Sequence, residues 1–119
     1  AKVIDWLDAQ TSLVMITSVT VAEILFGIRL LPEGRRRDDL QTAFELFMRR
    51  GMRNRVLEFD HAAAESYSWI AAGRQRSGRR IAAFDAMIAA IARSRGADIA
   101  SRDVAGFADC GLRIIDPWE

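Results

Sequence analysis

Cysteine, histidine and lysine occur once each in this chain of 119 residues, and proline twice. Cys110 alone cannot close an intramolecular disulfide, which excludes a disulfide scaffold and makes a reducing compartment, the cytoplasm, the expected location. A lone His61 excludes a multi-histidine zinc site, and nothing else in the sequence supports a Cys–His nucleophile pair with Cys110. The low proline content and a composition that is 50% hydrophobic exclude a disordered tail and a collagen-like repeat. Long hydrophobic runs are missing too. Glu23 and Asp85 interrupt the longest ones well short of the roughly 18 residues of a membrane span. No basic-then-apolar leader opens the chain. Neither Gly-x-x-x-x-Gly-Lys nor Gly-x-Gly-x-x-Gly occurs, which disfavours nucleoside triphosphate and dinucleotide sites.

What is present suffices for one domain, because a chain of this size buries roughly two-thirds of the surface it exposes when unfolded. A single domain over residues 1–119 is therefore expected. The net charge of +1 hides an uneven distribution: residues 29–55 carry a net +4 and residues 74–102 a net +5, with acidic stretches around them. Apart from Lys2 the positive charge is all arginine, whose planar fork suits phosphate and carboxylate, although GC-rich coding produces the same bias. Arg74, Arg76, Arg79 and Arg80 precede Asp85 and are candidates for contacts that position a nucleic-acid backbone without reading its sequence. Arg35-Arg36-Arg37 reads as a solvated helix start. Trp6, Trp69 and Trp118 lie among apolar neighbours and read as core or interface residues rather than base-stacking platforms.

Apolar runs alternate between strand and helix length. The pattern predicts a helix over 2–9, a strand over Leu13–Ile16, and a helix from Val19 to about Leu31 that Ser18 or Thr20 would cap and Pro32 and Gly34 would end. A helix from Asp38 to about Arg50 stops at Gly51, and a strand follows over Arg55–Phe59. Asp60 would cap a helix from His61 to about Gln75, and the next helix runs from Ile81 or Ala82 to about Ser94, with Gly96 just past its end. A strand over Ala97–Ala100, a short helix over 104–109 and a strand over Leu112–Ile115 complete the chain. Strands separated by helices predict an α/β fold with a central parallel sheet flanked by helices, and ligand sites at the carboxyl ends of its strands.

Three carboxylates stand out from their surroundings. Glu23 is the only charge between Asp8 and Arg29, and Asp85 the only charge between Arg80 and Arg93. Both helices are apolar nearly all round and are expected to be buried, where a carboxylate needs a cation or several hydrogen bonds. Asp103 follows Ala100-Ser101-Arg102 at the end of a predicted strand. Each has a plain structural explanation: an arginine partner for Glu23, a capping role for Asp85, and an N-cap for 104–109 in the case of Asp103. Together they suggest acids converging at one sheet edge, an arrangement that calls for a hard divalent cation, Mg²⁺ or Mn²⁺. Such a centre activates water and stabilises charge on a phosphodiester.

Four stretches carry a resemblance: Ser18-Val19-Thr20-Val21-Ala22-Glu23-Ile24 through Gly27, Ala83-Phe84-Asp85-Ala86-Met87-Ile88-Ala89-Ala90, Ala100-Ser101-Arg102-Asp103, and Asp116-Pro117-Trp118. In order and spacing they resemble the PIN-domain ribonucleases, most closely the VapC-type toxins of bacterial toxin–antitoxin pairs, in the FitB-like branch. The resemblance covers the whole chain. It implies a three-layer PIN-like fold and a metal-dependent endoribonuclease toxin. Glu23, Asp85 and Asp103 would be the second, third and fourth acids of a Mg²⁺ or Mn²⁺ site, and Ser101 its supporting hydroxyl. It also implies RNA as substrate, a homodimer, and a cognate antitoxin whose extended C-terminal segment covers the site in a toxin–antitoxin hetero-oligomer, with no membrane. Exposed Leu and Phe on the 19–31 and 38–50 helices would form the antitoxin groove, although core packing explains them equally well.

The family's first acid lies on its first strand, in an apolar-Asp-Thr-Asn motif, and the chain here opens on Ala1 within what reads as the following helix. Asp5 and Asp8 lie on that predicted helix and are poor substitutes. The expectation is an N-terminally incomplete domain, first strand absent, that alone binds metal weakly and cleaves poorly. The alternative from another class is a catalytically degenerate PIN-like module that docks a protein partner.

Overall fold

The computed structural model describes residues 14–100 together with 107, 110, 111, 114 and 115. The predicted helices over 2–9 and 104–109, along with Trp6, Trp118 and the closing Asp116-Pro117-Trp118, lie outside the described residues. The elements are β1 (Ile16–Thr17), α1 (Ser18–Leu30), α2 (Arg35–Arg49), a 3₁₀ turn (Met52–Arg55), β2 (Val56–Leu57), α3 (His61–Arg76), α4 (Ala83–Ser94), β3 (Ile99–Ala100) and β4 (Ile114–Ile115). The predicted α/β alternation is what the structure has. Both strand pairs among the described residues are parallel: β1 with β2 (Ile16 opposite Val56) and β3 with β4 (Ile99 opposite Ile114). Parallel neighbours need a long crossover between them, and α1 and α2 supply it for the first pair.

Contacts divide the chain into two compact units, Met15–Glu58 and the remainder, which from Phe59 onward holds α3, α4, β3 and β4. In the first, β1 runs straight into α1. The cap is Thr17, one residue earlier than the sequence suggests, because it keeps the extended backbone (φ −92°, ψ 153°) that a capping residue requires. Its hydroxyl oxygen accepts from the Thr20 N–H at 2.9 Å and lies 2.7 Å from the Thr20 hydroxyl. Within α1 only Val19 and Ile28 are buried, and α2 buries no residue. The expectation that the Glu23 helix is buried is therefore wrong. A helix at a protein's surface covers one stripe, and α1 carries apolar residues on every face.

The second unit is packed. α4 buries Ala86, Ala89, Ala90, Ile91 and Ala92, as its apolar sequence predicts. Its alanines present little side-chain bulk, which suits a close approach of α3. Ile70, Ile99, Phe107 and Cys110 complete the core, with Tyr67 edge-on to Phe59 at 6.2 Å between ring centres. α4 ends as expected: Gly96 takes φ 65°, its N–H donates to the Arg93 carbonyl and the Ala97 N–H to the Ala92 carbonyl, the paired bonds of a left-handed helix stop.

Candidate metal centre

Glu23 is the sixth residue of α1 and is exposed to solvent. It forms no ion pair or hydrogen bond among the described residues. The reason is local. The positions one turn away on its helix are Val19, Thr20, Phe26 and Gly27, none of them a cation, and Arg29 is too far along to share its face. Among the described residues no arginine pairs with Glu23.

Asp85 is the third residue of α4 and half-buried. It does not cap the helix. The cap position is Ala82, in extended conformation (φ −59°, ψ 144°) and without a side-chain capping bond. A carboxylate in the first turn is favoured by the positive end of the helix dipole. Asp85 likewise has no ion-pair or hydrogen-bond partner among the described residues. Both carboxylates are hard oxygen donors with unused lone pairs, the donor chemistry that Mg²⁺ and Mn²⁺ take.

Ser101 and Asp103 lie outside the described residues; β3 ends at Ala100, immediately before them. Glu23 belongs to the Met15–Glu58 unit and Asp85 to the other, so each is placed within its own unit. Among the described residues no three His, Cys, Asp or Glu side chains form a metal-binding group.

The arginines separate into two roles that sequence alone merged. Arg76, Arg79 and Arg80 are exposed, as a substrate-facing loop requires. Arg74 is 7% exposed, the only buried charged side chain among the described residues. Its Nε donates to the Arg79 carbonyl at 2.5 Å, and its Nη1 lies 4.0 Å from the Cys110 sulfur. That burial was readable in outline: Ala63, Ile70 and Arg74 recur at helical spacing along the inner face of α3.

The remaining candidates resolve simply. His61 opens α3 at the surface, its Nε2 3.0 Å from Glu65 Oε1. Asp60 caps α3 by accepting from the Ala63 N–H at 3.0 Å, and the Arg95 guanidinium lies 3.1 Å from its other oxygen. The Ala63 bond, with help from Arg95, holds the Asp60 carboxyl below the usual carboxylate range. Cys110 is buried in the core, as a small packed residue. Trp69 is 71% exposed and so is not a core residue. A cleft of about 520 Å³ at the α1–α2 turn is lined by Arg29, Glu33, Gly34, Arg37, Asp38 and Gln41; Glu23 does not line it.

Comparison with known proteins bears on these observations. Residues 1–110 match the family described as PIN domain. Plasmid stability protein StbB of Pseudomonas syringae pv. tomato is 39% identical over 120 residues, spanning all of this chain and 86% of StbB. VapC ribonuclease Y4jK of Sinorhizobium fredii is 39% identical over 118 residues, 98% of this chain and 84% of Y4jK. Among solved structures, FitAB bound to an IR36 DNA fragment superposes with a TM-score of 0.87 at 30% identity, over 99% of this chain and 83% of the matched one.

Proposed function

The chain belongs to the PIN-domain family, in its VapC- and FitB-like branch, and from that premise we infer that it is the ribonuclease toxin of a toxin–antitoxin pair. One observation carries the assignment of its chemistry. Among the described residues Glu23 and Asp85, the lone acids of two apolar helices, have neither the salt bridge nor the capping bond that would explain them structurally. Carboxylates placed so, in a chain that matches the family across both compact units, fit ligands for a divalent cation. That continuous match also supports reading residues 1–119 as one domain.

PIN ribonucleases depend on a divalent metal; in this chain we assign Mg²⁺ or Mn²⁺ to Glu23, Asp85 and Asp103, with the Ser101 hydroxyl in support. When bound, the cation would activate water and offset charge developing on an RNA phosphodiester. The carboxylates orient the site, and the exposed side chains of Arg76, Arg79 and Arg80 hold phosphates nearby without selecting sequence. The partner is a cognate antitoxin in a hetero-oligomer of the FitAB kind. Its docking face is the apolar surface left open on α1 and α2, where Phe26 and Leu30 are 64% and 68% exposed. Among the described residues no helix is long and apolar enough to cross a membrane; we place the protein in the cytoplasm on its single cysteine, which suits a reducing compartment.

The test is substitution in the full gene product. Asp85→Asn and Glu23→Gln are expected to lower RNA cleavage by at least about 100-fold while leaving melting temperature and antitoxin binding near those of the parent. Cleavage that persists at the parent rate in both variants would establish a partner-docking module instead.

A further inference from the structure

A guanidinium is costly to bury, and a fold retains one only where its hydrogen bonds are used. Arg74 is such a residue, and part of its bonding ties down one turn. Its Nε donates to the Arg79 carbonyl, while the Arg79 N–H donates back to the Arg74 carbonyl at 2.9 Å. The Ser77 hydroxyl donates to that same Arg74 carbonyl at 2.9 Å. The Gly78 N–H donates to the Gln75 carbonyl at 3.1 Å, and Gly78 itself sits at φ 74°. The 77–79 turn is thus tied from both sides to the last turn of α3.

Only Arg80, Ile81 and Ala82 separate this turn from α4, and Asp85 is the third residue of that helix. The start of α4 has no side-chain cap to hold it. Among the described residues Ile81 packs against the core beside it, and the turn that Arg74 ties lies just before it. The other end of the same guanidinium approaches Cys110, in the segment that follows Asp103 in sequence.

We propose that Arg74 is a positioning residue for the metal centre: its buried guanidinium locks the 77–82 segment and so sets where Asp85 stands. The proposal rests on the reading of Asp85 as a metal ligand. Arg74 contacts neither metal nor RNA in this role; it acts through the Arg79 carbonyl. Lysine cannot replace it, since a single ammonium lacks the fork that spans the turn and the Cys110 side.

The experiment is calorimetric titration of the full gene product with Mn²⁺, at a temperature where circular dichroism shows each variant folded, together with kcat and KM on a model RNA. Arg74→Lys and Arg74→Met are expected to weaken Mn²⁺ binding by about 10–100-fold, the range seen when groups supporting a ligand are lost. kcat falls with it, and KM for RNA rises to a lesser degree because the same segment carries Arg79 and Arg80. Gly78→Ala strains the same turn without meeting any neighbouring atom, and it is expected to weaken Mn²⁺ binding severalfold. If Arg74→Met does not fold, Arg74→Lys and Gly78→Ala decide. Parent-like Mn²⁺ affinity and kcat in the folded variants overturn the proposal and leave Arg74 a stabiliser of the core. Asp85→Asn serves as the reference. If it abolishes Mn²⁺ binding while the turn variants do not, the lock fails and the metal site stands; if it binds Mn²⁺ like the parent, the reading of the site itself fails.

Discussion

The two compact units spend their apolar residues differently. From Phe59 onward, α4 buries five residues of its twelve, and Ile70, Ile99, Phe107 and Cys110 close around them. In Met15–Glu58, α1 buries two residues and α2 none, and seven of the nine large hydrophobics exposed in the described chain lie there: Met15, Ile24, Phe26, Leu30, Leu40, Leu46 and Phe47. α1 is no less apolar than α4. What differs is bulk and partner. Alanines on α4 suit close approach of α3, whereas large side chains on α1 and α2, which pack on each other, stay exposed. One unit completes its own core, and the other presents the kind of surface that a partner covers.

Changes in the packed unit are expected to have the largest effect on folding. Ile91 is fully buried, and Ile91→Ala is expected to cost about 2–5 kcal/mol, read as a lower urea midpoint at constant slope. A loss under about 1 kcal/mol would mean that this unit is no better packed than its neighbour. The open face gives the opposite signature. Phe26→Ala combined with Leu30→Ala is expected to leave stability within about 0.5 kcal/mol and to weaken antitoxin binding by roughly 2 kcal/mol or more in calorimetry. Equal loss of stability in both experiments would erase the distinction.

The smallest effect belongs to the α3 cap. Because the folded-state carboxyl of Asp60 titrates below its unfolded value, its contribution is full above the ordinary carboxylate range and is lost as pH falls through the depressed value. Asp60→Ala is expected to lower the melting temperature slightly at neutral pH, with the gap to the parent narrowing in acid. A gap that widens in acid would show that the cap is not held by the charged form.

Much of this was legible in order along the chain. Among the described residues the helices and strands fall close to where periodicity and stop signals place them, and Gly96 ends α4. Glu23 and Asp85 were visible because a single charge in a long apolar stretch is a local fact. The cap at Thr17 was missed because Ser18, Thr17 and Thr20 are chemically equivalent, and only the point where the strand stops chooses among them. Arg74 was grouped with Arg76, Arg79 and Arg80 because composition does not distinguish the inner face of α3 from its outer one.

The sequence by itself therefore determined the order of the elements and the acids that have no business in an apolar helix. These follow from backbone geometry and side-chain type within a few residues of each position. The tertiary structure alone decided which apolar helix is covered, that neither Glu23 nor Asp85 meets a cation among the described residues, and that one arginine of four turns inward to secure a turn. Those outcomes depend on which distant segments come to lie against each side chain, and burial is a property of that packing rather than of the residue.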